Sequence, residues 1–283
     1  MAEVFTPELT FGPYQYGTLT DAAEGVEFKT IQYSPEYVFE NAEAEAYVTA
    51  MTVEPDDARK ALIDQLVGEL KTDGIWTKLD WLSLLAAHAE QAGRLNAKNP
   101  TKALTAVSAP TFTVDRGFAG NGTSSYLDFG EQFDAIGNNF AQNSASLGAW
   151  CNEGTGTTSV FHVASTGTGV IEISAQAGGG SEAFKVNDAV VDSARTSVSK
   201  LGHRTASRIG ATVKRAFFNG VRVADLTTAS SATPDGNGWL LRRGTNFSAD
   251  RLAAAYFGGG LTDTDVANMH THLNTYLTAI GAN

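Results

Sequence analysis

From Thr101 to Phe257 the chain is broken into a dozen short runs, most of them closed by glycine, asparagine, aspartate or serine. Candidate strands lie at 103–107, 111–114, 126–129, 146–151, 159–164, 170–175, 183–186, 206–213, 216–218, 221–224, 239–242 and 252–257. Short strands with a turn signal about every ten residues predict an antiparallel β-sandwich. The sharpest local signal is Ala216-Phe217-Phe218-Asn219-Gly220-Val221-Arg222-Val223. Asn-Gly between two apolar runs calls for the positive φ of a type I′ hairpin turn. The 29 glycines against 7 prolines supply the turns such a domain needs. A helix closes the chain, with Thr262 and Asp265 as a capping-box pair and Val266, Met269, Leu273, Leu277 and Ile280 as its apolar stripe.

Upstream the pattern changes. Pro55, Asp56 and Asp57 open a segment with Leu62, Ile63, Leu66, Val67 and Leu70 at helical spacing, and Asp73-Gly74 closes it. Trp76, Leu79, Leu82, Leu85, Ala86 and Ala89 predict a second helix ending at Gly93, so residues 41–100 read as a helical hairpin or spacer. Such a hairpin is too small to stand alone and must pack on a neighbour. Residues 1–40 show no helical period and set Tyr14, Tyr16, Tyr33, Tyr37 and Phe39 among glycines and prolines. That predicts an extended attachment arm whose aromatics order against another surface, the alternative being a short hairpin packed on its own chain. The third unit, 101–283, is the sandwich with its C-terminal helix, expected to fold by itself.

Residues 1–99 hold 17 acidic and 7 basic side chains against 14 and 13 in the remainder, so nearly all of the net charge of −11 belongs to the first third. Free nucleic acid is a poor partner for that third. No apolar run reaches the ~18 residues of a membrane helix, and Glu3 and Glu8 stand where a signal peptide would be basic. Neither membrane insertion nor secretion is expected. Cys151, the single cysteine, follows Leu147-Gly148-Ala149-Trp150 and reads as a buried strand residue.

Three motifs carry a resemblance. Thr111-Phe112-Thr113-Val114-Asp115-Arg116-Gly117-Phe118 with Asn121-Gly122-Thr123-Ser124-Ser125-Tyr126-Leu127-Asp128, the Phe218-Asn219-Gly220-Val221 hairpin, and Arg251–Gly259 running into Leu261-Thr262-Asp263-Thr264-Asp265-Val266 occur in that order. Together they resemble the laminin-G-like, concanavalin-A-like lectin and glucanase superfamily. The resemblance implies a mainly β, antiparallel jelly-roll sandwich. With the preceding 58–80 and 96–100 stretches, residues 50–283 are similar to structural proteins of tailed bacteriophages and α-proteobacterial prophages. This second resemblance implies a virion component such as a fibre, spike or decoration protein, assembled in the host cytoplasm. It would be homo-oligomeric, bound to other virion proteins and in contact with host surface polysaccharide.

Catalytic signatures are absent. Glycosidases on this fold place paired acids on one strand as an E-x-D-x-x-E run, and none occurs; Glu172 and Glu182 each stand alone. His270 and His272 are two apart on a helix and cannot grip one metal as an i, i+4 pair would, and His162 beside Phe161 reads as part of a β face. Asp188 with Asn187, and Asp235 with Asn237, could coordinate calcium but are accounted for by turns. No catalytic residue, cofactor or metal is therefore expected, and binding is preferred to the alternative of a polysaccharide hydrolase or lyase. Arg195, Lys200, His203, Arg204, Arg208, Lys214, Arg215 and Arg222 form a basic stretch. Strand alternation would spread it over a solvated outer face, where Arg204, Arg208, Lys214 and Arg215 could hold anionic glycans.

Overall fold

The structure is a computed structural model, and it describes residues 10–11, 14–15, 37–154, 161–165, 170–177, 180–188, 192–196 and 199–283. Two compact units are present, 1–38 and 39–283. In the first, Thr10–Phe11 (β1) pairs antiparallel with Tyr14–Gln15 (β2). The second begins with α1 (Ala42–Thr49), α2 (Asp57–Thr72), β3 (Leu79–Ser83) and α3 (Glu90–Arg94). It continues with β4 (Thr105–Val107), β5 (Thr111–Thr113), β6 (Gly117–Ala119), β7 (Tyr126–Gln132), α4 (Phe133–Ile136), β8 (Ala145–Glu153) and β9 (Phe161–Ser165). Then follow β10 (Val170–Ala177), β11 (Ser181–Asp188), β12 (Asp192–Thr196), β13 (Gly202–Gly210), β14 (Val213–Phe218) and β15 (Val221–Leu226). It ends with β16 (Asn237–Leu240), β17 (Arg242–Arg243), β18 (Asn246–Phe247), β19 (Arg251–Gly258) and α5 (Asp263–Ala279).

Two antiparallel sheets face each other. One has seven strands in the order β12-β11-β10-β9-β16-β7-β4; the other runs β15-β14-β13-β8-β19-β6-β5, with β3 also paired to β19. Leu127, Leu147, Ala149, Phe184, Leu240 and Phe257 share the core between them. A second core lies on the far side of the eight-stranded sheet. There Trp150, Phe217, Ala254 and Tyr256 meet Ile63, Leu66 and Leu70 of α2 and Val266, Met269 and Leu273 of α5. Strand alternation produces this: on β8, Leu147 and Ala149 face the other sheet while Trp150 faces the helices. Close packing also fixes Gly148, since a Cβ there would lie 2.2 Å from the Tyr256 ring.

Several expectations hold at the atomic level. Asp56 caps α2 by accepting from the Arg59 amide, and Gly74 follows the helix at φ +69. Asn219 and Gly220 have φ of 48 and 77, as a type I′ turn requires. Thr262 and Asp265 close a reciprocal capping box on α5.

The second helix of the expected hairpin does not form. Trp76–Lys78 is a single 3-10 turn and Leu79–Ser83 is a strand, pairing Ala255 with Ser83 and Tyr256 with Leu82. Every residue of β3 is buried, Leu82 toward the helices and Trp81 toward the other sheet. A strand covered on both faces has apolar residues at nearly every position, and such a run also matches a helical template. Residue 100 is accordingly no structural boundary, because 39–283 is one compact unit in which β3 completes a sandwich sheet.

Candidate functional site

Lys200, His203, Arg204, Arg208 and Lys214 of the basic stretch are buried, which overturns the solvated-face expectation for them, while Arg215 is part-exposed and Arg222 exposed. Arg204, Ala206 and Arg208 share one side of β13, and Ala206 belongs to the core between the sheets. Arg204 and Arg208 are fully buried. Arg204 donates to Glu182 at 2.7 Å and to the Lys200 carbonyl at 2.9 Å, with Phe218 under its guanidinium. Arg208 donates to Asp188 at 2.8 Å and to the carbonyls of Val186, Gly210, Ala211 and Thr228. Lys214 pairs with the other oxygen of Asp188. These ions join β13 and β14 of one sheet to β11 of the other, and the partners are internal. Buried charges persist only when paired and hydrogen-bonded, as these are. Asp188 thus answers two cations, one on each carboxylate oxygen. Arg215 faces the opposite way and holds Asp263 at the start of α5 at 2.8 Å.

Of the five arm aromatics, Phe39 packs against the helix-side core of the second unit. Tyr14 lies on β2 and Tyr37 in the N-terminal unit. Tyr16 and Tyr33, like the side chains of Tyr14 and Arg195, fall outside the described residues.

The seven-stranded sheet carries a different arrangement on its outer face. Leu127 and Phe129 of β7 point into the core, so Tyr126 and Asp128 point out. One transverse row crosses six strands in register: Lys185, Glu172, Ala164, Trp239, Asp128 and Thr105. Beyond β16, Leu241 adopts φ +66. This places both Leu240 and Leu241 in the core and turns residues 242–247 over the outer face as the β17–β18 ribbon.

Arg242 of that ribbon is held by three rings. Its guanidinium carbon lies 4.2 Å from the Trp239 ring centroid, 4.4 Å from Tyr126 and 5.4 Å from Phe247. Nε donates to the Gly244 carbonyl at 2.8 Å. The two terminal nitrogens have no hydrogen-bond partner among the described residues. On the same face Asp128 accepts from the Trp239 indole at 3.2 Å and from the Gly130 amide at 2.7 Å. Tyr126, Asp128, Trp239, Arg242 and Phe247 are all part-exposed. Further along the row Arg243 lies 3.2 Å from the buried Glu172, with Lys185 at 3.8 Å. Burial pushes the Glu172 carboxyl up, against the pull of Arg243 and Lys185.

The arrangement can bind, and it is poorly built for glycoside cleavage. Asp128 and Glu172 share the row but are three strand spacings apart, roughly 14 Å, beyond the ~5–9.5 Å that separates the two acids of a glycosidase. Glu182 and Asp188 are committed to buried cations.

No protein-family model matches the sequence, and no curated protein matches it. Solved structures show similarity to the chain. A Trypanosoma rangeli sialidase, in complex with a 2,3-difluoro nononic acid, is similar with a TM-score of 0.51 at 11% identity over 77% of this chain. The chain spans 40% of that sialidase's length. Domain 4 of a GH43 arabinanase from Geobacillus stearothermophilus, in complex with arabinotriose, has a TM-score of 0.44 at 13% identity, covering 68% of this chain and 98% of that one. The binding domain of Paraclostridial Mosquitocidal Protein 1 has a TM-score of 0.48 at 9% identity, covering 69% of this chain and 52% of that one. At such identities the likeness to the sialidase is one of fold, and the class it defines is the two-sheet antiparallel β-sandwich.

Sequence reasoning missed the Arg242 cluster. Its members come from β7, β16 and the β17–β18 ribbon, more than a hundred residues apart. The one local signal was Trp239 three residues before Arg242 at the end of an apolar run.

Proposed function

We propose that residues 39–283 are a non-catalytic glycan-binding module whose site is the part-exposed Tyr126–Trp239–Arg242 end of the outer face of the seven-stranded sheet, with Arg242 as the anchor for an acidic sugar. The observation that carries this reading is the Arg242 guanidinium, fixed by Trp239, Tyr126 and the Gly244 carbonyl and with both terminal nitrogens unpartnered among the described residues. A planar fork held in place loses little entropy on forming paired hydrogen bonds to a carboxylate. The adjoining tyrosine and tryptophan edges offer the apolar contact that sugar C–H groups seek.

The test is calorimetric titration of the full chain with acidic and neutral oligosaccharides, repeated with Arg242→Ala. Binding of uronate-containing sugars that falls at least tenfold in the variant supports the proposal. Equal binding by the two proteins, or no binding of any acidic sugar by the folded wild type, overturns it. Reducing-end release in the same mixtures would favour the enzyme instead, and the wide carboxylate spacing predicts none.

Display on a tailed-phage particle, as a homo-oligomer alongside other virion proteins, rests on the motif resemblance of residues 50–283. Attachment through Tyr14, Tyr16, Tyr33 and Tyr37 rests instead on the aromatic composition of residues 1–40, which follows no helical period. Deleting residues 1–38 tests both: a folded protein that no longer sediments with particles supports the assignment, and undiminished occupancy refutes it.

A further inference from the structure

A polar cluster unrelated to the Arg242 face lies between the sheets. Cys151 ends the inward row of β8 after Leu147 and Ala149. Asp250 immediately precedes β19, the neighbour of β8, where Leu252 pairs with Cys151. His162 comes from β9 of the opposite sheet. All three side chains are fully buried. Asp250 Oδ2 is 3.3 Å from His162 Nε2 and 3.9 Å from Cys151 Sγ, and the three donor atoms lie within 4.8 Å of one another.

We infer that Cys151, His162 and Asp250 form a site for one divalent ion of the zinc class, clamping the two sheets together. The donor set is one sulfur, one imidazole nitrogen and one carboxylate oxygen, each a common zinc ligand. Tetrahedral zinc with bonds of ~2.0–2.3 Å sets its donors ~3.3–3.7 Å apart, so the observed separations need only a modest closing movement. Asp250 divides its oxygens suitably. Oδ2 faces the cysteine and histidine, while Oδ1 faces Lys200 at 3.8 Å, so the lysine can stay and orient the carboxylate as the ion enters. His162 Nδ1 makes no hydrogen bond among the described residues. Without the ion, Nε2 donates to Asp250; because Nδ1 is unbonded, the proton can move to Nδ1 as the ion enters and leave the Nε2 lone pair for it.

On binding, the S–H bond of Cys151 breaks, its proton leaves to solvent and the thiolate sulfur bonds the ion, with no change of oxidation state. A fourth position remains for water. The spacing 151, 162, 250 matches no local metal motif, because the three ligands come from three strands that only the fold brings together.

The experiment uses the full chain, reduced and stripped with chelator, titrated with Co²⁺ and followed by absorption. Saturation at one ion per chain, with a thiolate-to-cobalt charge-transfer band that Zn²⁺ abolishes, is the expected result. Zinc should also slow modification of Cys151 by a thiol reagent at least tenfold. His162→Gln and Asp250→Asn, checked for folding by circular dichroism, should weaken cobalt binding at least tenfold. Cobalt bound without a thiolate band marks adventitious surface carboxylates and overturns the site, as does no binding at all. Undiminished affinity in both folded variants does the same. If neither variant folds, the wild-type band and stoichiometry decide alone.

Discussion

The helix-covered face of the eight-stranded sheet and the β7–β16 end of the seven-stranded sheet's outer face are built in opposite ways. The eight-stranded sheet is sealed: Trp150, Phe217 and Tyr256 lie under α2 and α5, and even its polar His203 and Thr205 are buried, bonded to the Tyr256 hydroxyl at 3.0 and 2.6 Å. The seven-stranded sheet keeps Tyr126, Asp128, Trp239 and Arg242 part-exposed. A face closed by the chain's own helices serves stability, whereas a face left with oriented, unspent donors is available to a ligand.

The largest expected effect comes from removing the seal. A chain beginning at residue 101 loses α1, α2 and β3, so Trp150, Phe217 and Tyr256 lose the α2 half of their cover and β19 loses β3 on one side over Ala255–Gly258. It should fail to unfold cooperatively and should bind a hydrophobic dye. A sharp thermal transition in circular dichroism without dye binding would show that the seal is dispensable.

Next in size is the ion pairing inside the sandwich. Asp188→Ala leaves Arg208 and Lys214 buried without their counter-charge and should cost about 3–5 kcal/mol in urea denaturation. Replacing all three by apolar residues of similar volume should recover most of the loss, since a buried ion pair is close to neutral against a well-packed apolar substitute. No recovery in the triple variant would mean that the network also specifies the packing of β11 on β13.

A smaller effect reports how dry the sealed face is. Burial, reinforced by His270 and Arg204, lowers His203 to about 3, while the unfolded chain keeps an ordinary value near 6.5. Trp150 stacks on its ring at 5.4 Å, and His270 stacks alongside at 5.5 Å. Between these values the unfolded state binds the extra proton, so the stability is fully present above pH ~6.5 and is lost as pH falls toward 3. The slope should be about 1 kcal/mol per pH unit and should shrink in His203→Phe. Denaturation midpoints from pH 7 to 4.5 that fall equally in both proteins would show that the histidine is reached by water.

These effects mark where the sequence was legible. The Asn219-Gly220 turn, the α2 and α5 caps and most strands of the sandwich were readable because each is fixed by residues adjacent in the chain. Strand β3 was read as helix because burial on both faces erases alternation. The basic stretch was placed on the wrong side of β13 for a related reason: with Ala206 inward and Ser207 also buried, neither parity looks solvated, and charge alone suggested the outer one. Arg242 was overlooked because its value comes from Tyr126, over a hundred residues away, and only the register of β16 with β7 brings the two together.

The smallest expected effect on stability makes the sharpest comparison, since it pits one residue type against itself across the two environments. Arg208 spends its five N–H groups on Asp188 and backbone carbonyls, and all of it is buried. Arg208→Met should therefore cost several kcal/mol, because Asp188 and those carbonyls lose their donor in a dry site. Arg242 makes one hydrogen bond and three ring contacts at a part-exposed position, where cation–π contacts contribute about 0.5–1 kcal/mol. Arg242→Met should cost roughly 1 kcal/mol or less in the same urea titration, its longer apolar stem still covering Trp239. Arg242→Lys should be equally mild for stability yet weaken acidic-sugar binding, because an ammonium cannot reproduce the paired geometry of a guanidinium. A loss at Arg242 as large as that at Arg208 would identify the three-ring clamp as a structural rivet and remove the main support for a ligand site at the part-exposed end of the seven-stranded sheet.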